Sequence, residues 1–535
     1  MENCFLTIGP PGTGKTTRLI QKAGEAASRW GGNQVLICSL TRTAAANVKE
    51  RGVPIPMQQV GTFHSHCYRR LGSPEIAETH IDEWNAENPN CPLTGTKGKG
   101  ADLDSYGGEI PGDRSSDLTF SRYTMSRARM LPRDRWKAGV LEFADRWESW
   151  KKANDYLDFE DLIERCREDY DSAPGNPSIV YVDEAQDCSA SEVALAAKWS
   201  QNAKVVFTGD LDQTIFSFRG ATPRAFYDLK IPEKNRIVLG ESHRLPERVH
   251  ATAMEWISRS FGREQVSYRP RGFEGRVRYA GLYSKAPEGI IRDAEEYLAR
   301  GKTVMIIGTC GYHVDPVINE LRRRGIPFHN PYRESNGKWN PLGGRSGVSS
   351  SERILAFLRP QETGRWSIED LAKWIEVVSA DVLLRGAKRL VAERAKAEPP
   401  QDLTDDEIMG LFEDSDMALK AIQAAWAGDA EWLQKNLLAS KSGPFNFPME
   451  ILRKNGKQAL TEQPRVTVGT IHSVKGGEAD VVYLLPDLSQ KSCESWDGYP
   501  EDKAEVYRVF YVGMTRAREE LILCDAIGNL RVRWN

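Results

Sequence analysis

What this 535-residue chain has little of narrows the field first. Its nine cysteines stand singly, with no Cys-x-x-Cys pair. A zinc ribbon, an iron–sulfur cluster or a disulfide framework would need paired or closely spaced thiols, so their scatter argues against all three and fits a reducing compartment. No apolar run is long enough to cross a bilayer, and the opening MENCFLTIGPPG has no basic stretch followed by an apolar one. No membrane partner and no secretory signal are therefore expected, and the reading is cytoplasmic. An excess of one charge is missing too: 72 Lys and Arg stand against 75 Asp and Glu, a formal net charge of -3. Bulk charge gives no argument for a nucleic-acid partner, and any basic surface has to be local. Short-period repeats and long low-complexity tracts are absent as well.

What is there is ordinary in composition, 40% hydrophobic and 27% charged, as in globular proteins generally. The length suggests roughly three or four domains. Short apolar, β-branched runs recur and end in polar or glycine-rich turns: CFLTIG (4–9), QVLICSLT (34–41), SIVYVDEA (178–185) and KVVFTGD (204–210). A second series reads RIVLGE (236–241), TVMIIGT (303–309), RVTVGTI (465–471) and DVVYLL (480–485). With helical patterns between them, they predict two α/β units of buried parallel strands, binding ligands at the carboxyl ends of those strands. Two stretches break the alternation. Residues 75–152 are polar and glycine-rich, then aromatic and helical. Residues 361–455 read almost wholly helical, with capping-box patterns at Ser367-Ile-Glu-Asp370 and Thr404-Asp-Asp-Glu407. The predicted organisation is a first core over 1–74 and 153–229, interrupted by 75–152, and a second over 230–360 and 456–535, interrupted by 361–455.

The chemistry is carried first by GPPGTGKT at 9–16, which fits G-x-x-x-x-G-K-[ST] and lies between a predicted strand and a predicted helix. Backbone N–H groups around Gly9, Gly12 and Gly14, with Thr17 in the first helical turn, would cradle phosphates; Lys15 would reach the β- and γ-phosphates and Thr16 would ligate Mg²⁺. DEAQD at 183–187 ends the strand SIVYV. An acidic pair there suits metal-assisted hydrolysis, with Asp183 holding Mg²⁺ and Glu184 orienting and deprotonating a water.

With these in place the sequence resembles the UvrD/Rep/PcrA group of superfamily 1 helicases, nearly end to end. Leu40-Thr41-Arg-Thr-Ala44-Ala45 is similar to motif Ia, and Gly61-Thr62-Phe63-His64-Ser65 to motif Ib. Asp158-Phe159-Glu160-Asp161-Leu162 resembles the lead-in to DEAQD. The run from Gly209 through Asp212, Gln213, Phe216, Phe218, Arg219 and Gly220 to Ala221 resembles motif III. Gly469-Thr470-Ile-His472-Ser-Val-Lys475-Gly-Gly-Glu478 resembles motif V, and Tyr511-Val-Gly-Met-Thr515-Arg516-Ala517 motif VI. Their order is the family's order.

The resemblance implies two RecA-like parallel-sheet cores with ATP between them, two reduced, mainly helical accessory domains, and 3′ to 5′ movement on single-stranded DNA or tailed duplexes. By the same resemblance Gln213 senses the γ-phosphate, Arg244 and Arg516 act as arginine fingers from the second core, and Glu478 contacts ribose or triphosphate. Thr41, Arg42, Thr62, Arg219, His472 and Lys475 are candidate DNA phosphate contacts. Phe216, Phe218, Phe63 and His64 are candidates for stacking on bases, which is tolerant of base identity; for Phe63, core packing and DNA contact are equally good readings.

The chain also departs from the family. Few residues precede the first strand, so the upstream glutamine that reads adenine is not expected; His243 stands where a tyrosine usually stacks on the base, and Gly477 where leucine is usual. Without polar readout, choice between nucleotides is expected to be relaxed. With the sequence ending soon after motif VI, a fused nuclease is not expected, and a bacteriophage or mobile element would suit its compact size. Besides a helicase, the motifs suit a translocase that strips proteins from DNA, or a DNA-sensing switch that recruits a partner such as a nuclease, polymerase or repair factor.

Overall fold

A computed structural model describes residues 2–39, 52–94, 115–217, 220–221, 225, 229–281, 285–333, 337–343, 347–526 and 528–534. They fold as two compact units, Met1–Gly275 with Glu494–Thr515, and Arg276–Cys493 with Arg516–Asn535.

The first unit is built on a six-stranded, all-parallel sheet in the order β3-β2-β4-β5-β1-β6. The strands are β1 (Cys4–Ile8), β2 (Val35–Cys38), β3 (Val60–Gly61), β4 (Ile179–Val182), β5 (Lys204–Gly209) and β6 (Arg236–Val238). VLIC of β2 and IVYV of β4 are buried at every position, because helices cover both faces, as a parallel sheet requires. On one face the helix Lys15–Trp30 packs Leu19, Ile20, Ala23 and Ala27 against Val35, Ile37 and Tyr181. On the other, helices Phe63–Arg70, Phe159–Asp169 and Ala190–Trp199 close a second core around Leu36, Val180 and Phe207.

The run 236–241 reads from sequence as the start of the second sheet. In the structure β6 instead pairs with β1, Leu6 with Arg236 and Ile8 with Val238. The Asn235 amide ties it there by donating to the carbonyls of Glu2 and Cys4 at 2.9 and 3.0 Å. Periodicity marks a strand but does not name its partner.

The second unit has its own six-stranded parallel sheet, ordered β7-β12-β11-β8-β10-β9. Its strands are β7 (Arg276–Tyr279), β8 (Val304–Gly308), β9 (Phe328–His329), β10 (Val466–Thr470), β11 (Ala479–Leu484) and β12 (Ala517–Leu523). β12 opens with Ala-Arg-Glu-Glu, a charged start that masks its apolar end.

The described residues of the stretches that break the alternation are mainly helical. In the first unit, helices Ile81–Glu87, Ser115–Ala128 and Ala138–Asn154 share an aromatic core of Trp84, Tyr123, Phe143, Trp147 and Trp150. In the second, short helices from Ile368–Ile375 to Asn446–Asn455 are continuous with the sheet's core. Both predicted capping boxes form: Ser367 accepts the Asp370 N–H at 3.1 Å and Thr404 the Glu407 N–H at 3.3 Å. Among the described residues no helix is long and apolar enough to cross a membrane.

Candidate nucleotide and nucleic-acid site

Strand order builds the site. β4, β5 and β1 are neighbours in the sheet, so Asp183, Asp210 and the glycine loop, which follow their carboxyl ends, come together although about 200 residues of sequence separate them. The loop hangs from the sheet by the Gly9 N–H, which donates to the Gly209 carbonyl at 3.0 Å. Lys15 opens the helix with its side chain folded back, its ammonium donating to the Gly9 carbonyl. The Thr16 hydroxyl donates to Asp183 Oδ2 at 3.0 Å. Asp183 is buried, and its Oδ1 has no hydrogen-bond partner. Burial, then the neighbouring Glu184 charge, pushes its carboxyl up to about 7. A buried carboxylate oxygen with no donor, beside a hydroxyl, fits a Mg²⁺ ion that keeps its remaining positions for phosphate and water.

From Glu184, the residue after Asp183, a chain of hydrogen bonds runs sideways through residues that the motif patterns do not single out. Gln186 donates its amide to Glu184 Oε2. Its carbonyl accepts the Asp210 N–H at 3.0 Å, and Asp210 Oδ2 accepts the Gln213 amide at 2.7 Å. Burial, then Asp212, pushes the Asp210 carboxyl up to about 6. The general-base candidate Glu184 and the sensor candidate Gln213 are thus joined through Gln186 and Asp210. Both lie inside the motifs DEAQD and GDLDQ, so position hinted at them, but only sheet order shows that they touch.

The segment 242–244 closes over the loop. The His243 N–H donates to the Gly12 carbonyl at 2.8 Å, and the Ser242 and Tyr268 hydroxyls donate to the Pro11 carbonyl at 3.1 and 2.6 Å. Gly12 sits at φ +74, and a Cβ there would lie 2.5 Å from Arg244 Cβ, so only glycine fits. The Arg244 guanidinium reaches the Thr515 carbonyl at 3.5 Å. Read from sequence, Arg244 acts from the second core; the structure puts its segment in the first unit, held there by β6 and by the bonds to the glycine loop. The His243 side chain is exposed beside that loop.

Glu478, Arg516, His472 and Lys475 belong to the second unit. Arg516 follows the helix Pro500–Met514, is 1% exposed and donates to the Gly477 carbonyl at 3.2 Å. Glu478 pairs with Arg518 at 3.2 Å. His472 begins a short turn after β10, and Lys475 follows it, half-buried. The unusual glycine at 477 has a local cause: a Cβ would lie 2.6 Å from the Tyr332 hydroxyl oxygen.

Of the DNA-contact candidates, Phe63 is core, 4% exposed and stacked on Trp199 with ring centroids 5.7 Å apart. Thr62 caps the same helix, accepting the Ser65 N–H at 3.1 Å. His64 is buried edge-on to Phe159, with Nδ1 3.6 Å from Glu192. Phe216 is half-buried. Thr41, Arg42, Phe218 and Arg219 lie outside the described residues.

A strand, glycine loop and helix on a parallel sheet, with carboxylates at the neighbouring strand ends, define a phosphate-loop nucleotide-binding fold. Residues 1–219 match the AAA domain family, and residues 441–526 match the UvrD-like helicase C-terminal domain. The two matches and the relatives together support a UvrD-like superfamily 1 helicase. It is 24% identical to the ATP-dependent DNA helicase UvrD2 of Mycobacterium tuberculosis, over 96% of this chain and 75% of the relative. It is 25% identical to UvrD1 of the same species, over 49% of this chain and 38% of the relative, and 25% to UvrD1 of Mycobacterium leprae, over 48% and 38%. The chain therefore aligns with well under half of the UvrD1 proteins' length.

Proposed function

We propose that this protein is an ATP-dependent DNA helicase that translocates 3′ to 5′ on single-stranded DNA, using ATP with Mg²⁺. The observation that carries the reading is a pair of links meeting at the adjacent residues Asp183 and Glu184, one to Thr16 and one through Gln186 and Asp210 to Gln213, from which the chain runs directly into the segment 214–217. A nucleotide-side event and a DNA-side event share one hydrogen-bonded element. UvrD2 and UvrD1 are named as ATP-dependent DNA helicases, which supports the same assignment.

In this reading the glycine loop and Lys15 bind phosphates, and Thr16 and Asp183 hold the metal ion, which neutralises phosphate charge. Glu184 orients the attacking water, and Gln213 senses the γ-phosphate. Arg244 acts beside the loop, and Arg516 contributes the second cation. Glu478 and His243 serve ribose and base. Phe216, with Phe218, Arg219, Thr41, Arg42, His472 and Lys475, serves the DNA. Residues 75–152 and 361–455 act as the accessory domains.

Turnover of ATP by the purified chain, with and without single-stranded DNA, tests the reading. Lys15→Ala should abolish turnover, and Glu184→Gln should bind ATP but hydrolyse it very slowly. A rate that DNA leaves unchanged rules out the motor. Strand displacement on 3′-tailed but not 5′-tailed duplexes is expected. Stimulated turnover with no displacement would favour a translocase that does not unwind.

A further inference from the structure

Ser217 is held by two elements far from it in sequence. Its carbonyl accepts a hydrogen bond from Arg129 Nη2 at 3.0 Å, and its hydroxyl donates to Glu505 on the helix Pro500–Met514. Arg129 directly follows the helix Ser115–Ala128, which belongs to the inserted stretch. The contact is close-packed as well as polar. Gly220 sits at φ +87, and a Cβ there would lie 2.7 Å from Ala128 Cβ. Ala221 then bridges to Ser189, which caps the helix after DEAQD.

The inserted helix is itself anchored. Arg127, next to these two residues and 8% exposed, donates to Asp158 at 2.9 Å, to Asp161 at 2.7 Å and to Glu164. Lys151 from the neighbouring inserted helix joins the same carboxylates. A buried network in which each charge has partners holds its elements in one register. The end of the inserted helix therefore meets Ser217 and Gly220 from a fixed position.

We propose that Arg129 is a positioning residue: through the Ser217 carbonyl it sets the segment 213–217, so that the first inserted stretch governs how strongly single-stranded DNA stimulates hydrolysis. The proposal rests on the helicase reading above. Arg129 does not touch nucleotide-binding residues; it acts on Gln213 through the four-residue span to Ser217.

The test compares the full chain with Arg129→Met, which keeps the apolar stem, and Arg129→Lys, which keeps a cationic donor. Turnover is measured without DNA and at saturating dT oligonucleotide, with the melting temperature alongside. Arg129→Met should keep basal turnover within about twofold and lose about tenfold of the stimulated rate, the scale of one lost charge-assisted hydrogen bond. Arg129→Lys should recover most of it. A stimulated wild type with an equally stimulated Arg129→Met overturns the inference alone. Basal and stimulated rates falling in proportion, with a lowered melting temperature, make Arg129 merely structural and also overturn it. A wild type that DNA does not stimulate removes the helicase reading and this inference together. Should Arg129→Met not fold, Arg129→Gln, too short to span the same gap, takes its place.

Discussion

Asp183 shows how one buried carboxyl ties binding to stability. Its pKa stands near 7 because burial penalises the charge and Glu184 repels it. A carboxyl raised in the folded state stabilises the fold at low pH, below its unfolded value near 4, and that contribution is lost as pH rises to about 7. In chelator, Asp183→Asn should therefore melt above wild type at pH 8 and close to it at pH 4.5. A variant that melts lower at both would show that Asp183 is not strained by its charge. Phe63 makes a different case. Its ring lies on Trp199 inside the core, so Phe63→Ala should cost roughly 3–5 kcal/mol of stability while the folded fraction keeps its affinity for single-stranded DNA. Denaturant melts and fluorescence anisotropy separate the two effects. For the arginines burial decides which variant is informative. Arg516 is 1% exposed, and Arg516→Ala would leave buried partners unpaired, so a lost rate would be mixed with a lost fold. Arg244 is half-buried, and Arg244→Ala should lower kcat by roughly 10³, the scale of an arginine finger. A kcat within about threefold of wild type, against that scale, would remove it from the site.

At the scale of elements, the helix Phe159–Asp169 joins the inserted stretch to the sheet. Asp158 caps it, accepting the Asp161 N–H at 2.9 Å. The same carboxylate is fully buried and accepts from Arg127, from Lys151 and from the Trp147 indole at 3.0 Å. Its two cations hold its carboxyl well below the usual range although burial alone would raise it. Asp158→Ala removes the centre of the network and leaves two buried cations short of a partner, so it should cost about 3–5 kcal/mol. Asp158→Asn keeps the cap acceptor but loses the charge, and should be milder. Equal stability of both variants and wild type in urea would show that the network contributes nothing.

At the scale of the whole chain, each unit carries its own parallel sheet and core. The glycine loop lies in the first unit, so nucleotide should stabilise the protein through that unit. By linkage a ligand at 100 times its Kd adds about 2.7 kcal/mol to the state that binds it. A melting scan with Mg²⁺ and a non-hydrolysable ATP analogue should show an upward shift in wild type and none in Lys15→Ala. A shift that survives Lys15→Ala would place the nucleotide elsewhere.

The sequence by itself determined most of what is local. The glycine loop, the acidic strand end, the buried strands and the capping boxes at Ser367 and Thr404 each depend on a few consecutive residues, and all were legible there. So was the family, because its motifs keep a fixed order. Tertiary structure alone decided what depends on partners distant in the chain. β6 joins the first sheet because Asn235 reaches the start of β1. Phe63 belongs to the core because Trp199 lies across from it. Glu184 reaches Gln213 because β4 and β5 are adjacent, and Gly477 is a glycine because the Tyr332 ring occupies the space of a side chain. A pattern of residue types records which side chains must be buried or charged; which neighbour meets each one is set only when the sheet order is.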